Sequence, residues 1–247
     1  MQTPYVGVTG FMHEAEVSAA LDALDQLPHP PQRKLMVGVL ASSKTLAGKP
    51  NKWPNRYPKP EEIARLFTEN PYVVNLIHYA TDDRDTLADQ LVEVMRLGGE
   101  WIDGFQLNIR WPDPASLIGF EHLRIVLQLG SGAMQDIGDD PVAAAVRLDA
   151  YRGLITDVLI DASGGRGVPL NTNLAAKFVR AIRTRHPQLG VGIAGGLCAS
   201  NVDSLRPFLM QYPWTSIDAE GKLRTPQPED RLDISEMRKY IVDGFFL

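Results

Sequence analysis

The stretch Asp157-Val-Leu-Ile-Asp-Ala-Ser-Gly-Gly-Arg-Gly167 decides how this chain is read. A short apolar run ends on Asp161 and passes straight into a glycine-rich loop. A bare carboxylate at the end of a buried strand costs several kcal/mol unless a cleft or a ligand solvates it, so Asp161 marks the edge of a site. About 30 residues further on the same junction returns as Val191-Gly-Ile-Ala-Gly-Gly-Leu197, and then again as Ser216-Ile-Asp-Ala-Glu-Gly221. Three strand-then-glycine junctions at this spacing read as βα units whose loops face one way.

Working outward, β-branched runs alternate with amphipathic segments along the whole chain. Strands are expected at 5–9, 35–40, 73–78, 104–109, 125–129, 157–161, 191–194 and 215–218. Helices are expected at 14–27, 60–69, 84–97, 114–121, 141–154, 173–186, 202–212 and 234–243. Asp140-Pro141 is a helix entry with proline in the first turn, and Asn201 stands where an N-cap would precede Val202. Eight strands alternating with eight helices, without a break in composition, predict an α/β fold: a single (β/α)8 barrel over residues 1–247. A doubly wound open sheet is the alternative, but Gly7-Val-Thr-Gly10 is not the dinucleotide fingerprint such a sheet should carry after its first strand.

The 247 residues, 44% hydrophobic and 22% charged, fit one large domain of this kind. A formal net charge of −5 gives no electrostatic footprint for nucleic acid. No run approaches the roughly 18 apolar residues of a membrane span, and the start lacks the basic region of a signal peptide. The lone cysteine, Cys198, excludes an internal disulfide and a multi-cysteine metal site. The expectation is a cytoplasmic protein, a monomer or homodimer, with no cofactor and no metal, acting on a small anionic ligand.

The loop 41–59 is longer than a barrel needs. It carries Lys44, Lys49, Lys52, Trp53 and Arg56, together with Pro50, Pro54 and Pro58. Loops beyond about 12–15 residues inside a compact domain are usually lids, binding loops or disordered. On the fourth strand Gln106, Asn108 and Arg110 share one face and Leu107, Ile109 and Trp111 the other. The outer face of a barrel meets helices, so the polar set points inward, as do Gln128, Asp161, Ser216 and Asp218. A self-satisfied network, Asp161 with Arg110 for example, is the structural alternative. Gly195-Gly196 and the helix entry near Asn201 offer backbone N–H groups to an anion. Glu220, beside Gly221 in the neighbouring loop, opposes one. Thr9, Asn108, Asp161, Gly195 and Asp218 are all expected at one end of the barrel.

These residues carry a resemblance. The chain resembles phosphoribosylanthranilate isomerases, TIM-barrel enzymes of tryptophan synthesis that perform an Amadori rearrangement. Leu159-Ile-Asp-Ala-Ser-Gly-Gly165 is similar to the family's sixth-strand motif, which implies a general acid at Asp161. Ile193-Ala-Gly-Gly-Leu-Cys-Ala-Ser-Asn-Val202 resembles the phosphate loop, which implies phosphate contacts from Gly195 and Gly196. Arg56-Tyr-Pro-Lys-Pro-Glu-Glu62 resembles the segment whose arginine holds the anthranilate carboxylate, and Ile234-Ser-Glu-Met-Arg-Lys-Tyr-Ile241 the terminal helix. The chain departs where the family has its cysteine base, carrying Thr9 before Gly10. It departs again at Asn108, where the family has a histidine, and in the loop of Glu220 and Gly221.

A threonine hydroxyl has no accessible ionised form near neutral pH and cannot abstract a sugar proton unaided. Cys198, His78, Asp218 and Lys44 are the alternatives for a base, each with an ordinary structural reading beside it. His13, His29, His122 and His186 read as surface or helix-entry residues. Two functions are open on this reading. One is an isomerase or lyase of the aldose–ketose kind, with Asp161 as acid, Thr9 and Asn108 beside it, Arg56 and Arg110 as anion clamps and Gly195-Gly196 as phosphate cradle. The other is a non-catalytic relative that kept the pocket as a ligand binder.

Overall fold

The computed structural model describes residues 2–28, 30–161 and 170–247. Strands β1 (Tyr5–Thr9), β2 (Lys34–Ser42), β3 (Val73–Ala80), β4 (Gly104–Leu107), β5 (Arg124–Gly130), β6 (Asp157–Asp161), β7 (Gly190–Ala194) and β8 (Thr215–Ala219) pair in parallel, each with the next. β8 returns to β1 through Val6 opposite Ile217, which closes the barrel. All eight expected strands are present, and the (β/α)8 architecture read from the sequence is the architecture observed.

The crossovers are less uniform than the alternation predicts. Helices α1 (Glu14–Leu24), α3 (Leu87–Gly98), α6 (Thr172–Arg185) and α8 (Ile234–Phe245) are regular, while α2 (Ser43–Leu46), α4 (Ser131–Gln135), α5 (Pro141–Arg147) and α7 (Arg206–Gln211) are short. The helices expected at 60–69 and 114–121 are 3-10 turns, Pro60–Leu66 and Pro114–Leu117. The second stops before Gly119, whose φ of 97 no helix continues. The helix expected at 202–212 is split into a 3-10 turn, Val202–Leu205, and α7, with Pro207 in the first turn of α7. Asp140 caps α5 as expected, accepting from the Val142 N–H at 2.8 Å. β2 runs on through Ala41 and Ser42, so the long loop starts later than the sequence suggests, and it contains α2 and the 3-10 turn Pro54–Arg56. His186, expected at the surface, is buried, with Nε2 2.8 Å from the Ala145 carbonyl; His29 lies outside the described residues.

The outward faces of the strands meet the apolar stripes of the helices. Inside the barrel is a second, smaller core of Tyr5, Met36, Val74, Leu76, Val126, Leu159 and Ala194. Its N-terminal end is sealed by a buried ion pair. Arg124 donates from Nη2 and Nε to the two Asp157 oxygens, at 2.8 and 3.0 Å, and lies over the Tyr5 ring at 5.0 Å. A side chain at Gly190 would place Cβ 2.0 Å from Asp157 Oδ1, so β7 must be slim here. Among the described residues no helix is long and apolar enough to cross a membrane.

Removing one member of a buried pair leaves the other charge uncompensated, which costs about 3–5 kcal/mol. Asp157→Ala is therefore expected to lower the unfolding free energy in urea by that amount. The apolar double variant Arg124→Met/Asp157→Leu should recover most of the loss.

Candidate active site

Period-two alternation brings polar side chains to the C-terminal end of the barrel interior. Thr9 on β1, His78 on β3, Gln106 on β4, Gln128 on β5, Asp161 on β6 and Asp218 on β8 are each no more than 6% exposed. They form a connected layer. The Thr9 hydroxyl donates to Asp218 Oδ1 at 3.0 Å, with Oδ2 3.2 Å away. Gln106 Nε2 donates to Asp218 Oδ2 at 3.0 Å and stands 3.4 Å from Gln128 Oε1 and 3.3 Å from His78 Nδ1. Gln128 Nε2 donates to Asp161 Oδ2 at 2.9 Å. Two amides thus bridge the two carboxylates, Gln106 donating both to Asp218 and toward Gln128, and Gln128 donating to Asp161.

The layer floors a cavity of about 210 Å³ in the barrel mouth. Of the residues singled out from sequence, Asp161, Asn108, Arg56, Gly195, Gly196, Glu220 and Gly221 line it, together with His78 and Asp218. Thr9 does not; it is fully buried behind Asp218 and acts on that carboxylate. Arg110 does not reach the cavity either. β4 ends at Leu107, the backbone turns through Trp111 at a φ of 45, and the exposed Arg110 guanidinium pairs with Asp136 instead. The network of Asp161 with Arg110 is likewise not formed in this way. Cys198 is buried near Ser200 Oγ, outside the cavity wall.

Burial pushes the Asp218 carboxyl up to about 7. The nearby Glu220 and Asp161 charges add to the rise, against hydrogen bonds from Gln106 and Thr9 that favour ionisation. Burial also lowers His78, opposed by Glu220 and Asp161, which keeps the imidazole neutral at pH 7. Burial works against the Arg56 charge, but Asp230 and Glu220 hold the guanidinium protonated. Arg56 donates Nε and Nη2 to the two Asp230 oxygens, at 2.7 and 3.0 Å, and Nη1 to Glu220 Oε1 at 2.7 Å. Asp230 also accepts from Arg224. Both carboxylates come from beyond β8, and the distance in sequence between Arg56 and Asp230 leaves no local signal of the pairing.

The turn after β7 is also tied internally. Gly195 and Gly196 have φ values of 129 and 58, a left-handed path that favours glycine. Asn201 stands at the N-cap position before Val202, as expected, but its side chain makes no capping bond. It accepts from the Cys198 N–H at 2.9 Å and donates to the Gly196 carbonyl at 2.7 Å. The Ala199 N–H is taken by Glu236 Oε1 of α8 at 2.8 Å, and after Asn201 the chain enters a 3-10 turn rather than a long helix. Among the described residues no group of three or more His, Cys, Asp or Glu could hold a metal ion.

Neither a protein-family model nor a curated protein matches the sequence. Solved structures do match. N-(5'-phosphoribosyl)anthranilate isomerase from Pyrococcus furiosus is 14% identical with a TM-score of 0.62, over 99% of this chain and 100% of that one. Phosphoribosyl anthranilate isomerase from Thermococcus kodakaraensis is 14% identical with a TM-score of 0.57, over 97% and 98%. The catalytic domain of a hyperthermophilic chitinase from Pyrococcus furiosus is 11% identical with a TM-score of 0.58, over 99% and 96%. A barrel scaffold hosts many chemistries, so likeness at this identity carries the fold and not the reaction. In its fold the chain is a TIM barrel similar to phosphoribosylanthranilate isomerases.

Proposed function

We propose that the chain is an acid/base enzyme of the isomerase or lyase class, acting on a small phosphorylated or carboxylated sugar-like substrate in the mouth cavity. The observation that carries this reading is the pair of buried carboxylates, Asp161 and Asp218, lining one cavity, with Asp218 raised to about 7. Carboxylates separated by their environments are a frequent arrangement for acid/base work at neutral pH. In the proposed reaction Asp161, whose negative charge helps to raise Asp218, takes a proton from the substrate carbon next to a carbonyl or imine. Asp218 gives its proton to the heteroatom where the electron pair arrives, and in an isomerisation Asp161 returns its proton to the neighbouring carbon; these roles are the reverse of the one the family resemblance implies for Asp161. Thr9 serves as a positioning residue, holding Asp218 by a hydrogen bond. Asn108, Gly195, Gly196, Glu220 and Gly221 would contact the substrate around the rim.

The non-catalytic reading has one specific observation behind it. Arg56, the arginine that the family resemblance assigns to a substrate carboxylate, is already paired with two carboxylates of its own chain. In that reading the cavity binds a ligand without turning it over.

Deuterium incorporation from D2O into a panel of aldoses, ketoses, their phosphates and sugar acids distinguishes the two. The enzyme reading expects exchange at the carbon beside the carbonyl of at least one member, reduced about 10²–10⁴-fold by Asp218→Asn and by Asp161→Asn. Ligand-induced thermal stabilisation without exchange in any member would favour the binding protein. Phosphoribosylanthranilate turnover should be slow or absent, because Thr9 replaces the family's base.

The pH dependence has a defined sign. An acid must be protonated, so the exchange rate should be level below pH 7 down to the range where Asp161 takes up a proton, half-maximal near Asp218's value of about 7, and low well above it. A rate that instead rises through pH 7 would make Asp218 the base and leave the acid to Asp161.

A further inference from the structure

We propose that an oxyanion subsite for the anionic end of the ligand lies on the β2–β4 flank of the mouth, built by Lys44, Lys52, Tyr57 and Asn108, and not at the β7 turn. This rests on the reading of the mouth cavity as the ligand site and adds where the ligand's charge lies. A second cavity of about 200 Å³ opens beside the first, and Lys52, Tyr57 and Asn108 line both. These three side chains are therefore within reach of a ligand in either cavity.

The donors there are unengaged. Lys44 and Lys52 are exposed and have no carboxylate within ion-pair reach among the described residues. The Lys52 ammonium stands over the Trp53 ring at 4.9 Å, and both residues line the mouth. Neither the Tyr57 hydroxyl nor the Asn108 amide makes a side-chain hydrogen bond to a described residue. Asp82, exposed on the outer wall, is the acid of this second cavity.

The β7 turn is arranged differently. The Ala199 N–H there is held by Glu236, and Glu220 lines the same cavity as Gly195 and Gly196. Arg56, beside Tyr57 in the lysine-bearing loop, has its donors turned to Asp230 and Glu220. On the side of the β7 and β8 loops an oxyanion would meet Glu220 and a single ammonium group, that of Lys222. On the flank of Lys44 and Lys52 it meets two ammonium groups, a phenol and an amide, and charge-assisted hydrogen bonds of this kind are the strong ones.

Titration of the full-length protein with inorganic phosphate, followed by amide chemical shifts and by calorimetry, tests this. Acetate in a parallel titration tells a phosphate preference from a carboxylate preference. Phosphate is expected to shift resonances of residues 43–52, and Lys44→Ala/Lys52→Ala to weaken binding about tenfold or more. Ser200→Glu, which adds a negative charge at the exposed β7 turn, should leave the affinity unchanged. Because both lysines are exposed, circular dichroism should show the double variant folded. Loss of binding on Ser200→Glu with no effect of the lysine changes would overturn the proposal, as would failure of the wild type to bind either anion at millimolar concentration. Binding is read without turnover, so a negative proton-exchange assay leaves this result standing and overturns only the catalytic reading.

Discussion

The burial of the Asp218 carboxyl inside a closed barrel is the constraint around which the rest of the site is arranged. A carboxylate taken out of water must be neutralised or hydrogen-bonded, and the chain supplies donors from two strands, Thr9 and Gln106. Room for this layer comes from the absence of side chains. A Cβ at Gly7 would stand 2.8 Å from Asp218 Oδ1, and one at Gly38 2.6 Å from Thr9 Oγ1. The donors are not enough to keep the carboxyl in its ordinary range, because Asp161 and Glu220 add negative charge nearby. The result is a group that can exchange a proton near neutral pH, in contact with a cavity.

Around the rim, the buried charges are paired across loops. Arg56, Arg224, Glu220 and Asp230 form a buried cluster that fastens the loop after β2 to the segment after β8, and Arg224 adds hydrogen bonds to the Gly10 and Asn55 carbonyls. Buried pairs of this kind are weak evidence for net stability, since desolvation offsets much of their attraction. Their consequence here is geometric. They hold Trp53, with Arg56 over its ring at 4.7 Å, and with it Lys52 at the edge of the mouth. The loop reads as a built wall of the site.

Much of this was legible in the residues and some was not. Apolar runs ending in Asp161, Ala194 and Asp218 define strand ends because burial and charge change over one or two residues, and that pattern needs no knowledge of distant contacts. Period-two alternation likewise turns Gln106, Gln128 and Asp161 inward. It misleads at Arg110, because alternation holds only while the strand lasts, and β4 stops at Leu107. The pairing of Arg56 with Asp230 and of Ala199 with Glu236 joins segments far apart in sequence, where no local pattern registers. The short 3-10 crossovers carry helix-like apolar spacing, and proline and glycine positions decided their length.

The central claim is that Asp218 is buried in a setting that favours its neutral form, and its linkage to stability tests that most directly. A carboxyl raised to about 7 from an unfolded value near 3.9 makes the folded state bind more protons between those values. Stability attributable to Asp218 is therefore greatest below about pH 4, falls as pH rises, and levels off above about pH 7. The unfolding free energy of the wild type minus that of Asp218→Asn, measured in urea across this range, should decline by about 4 kcal/mol from low to high pH. A difference that stays constant, or that grows with pH, would show that Asp218 is an ordinary ionised carboxylate and would contradict the account.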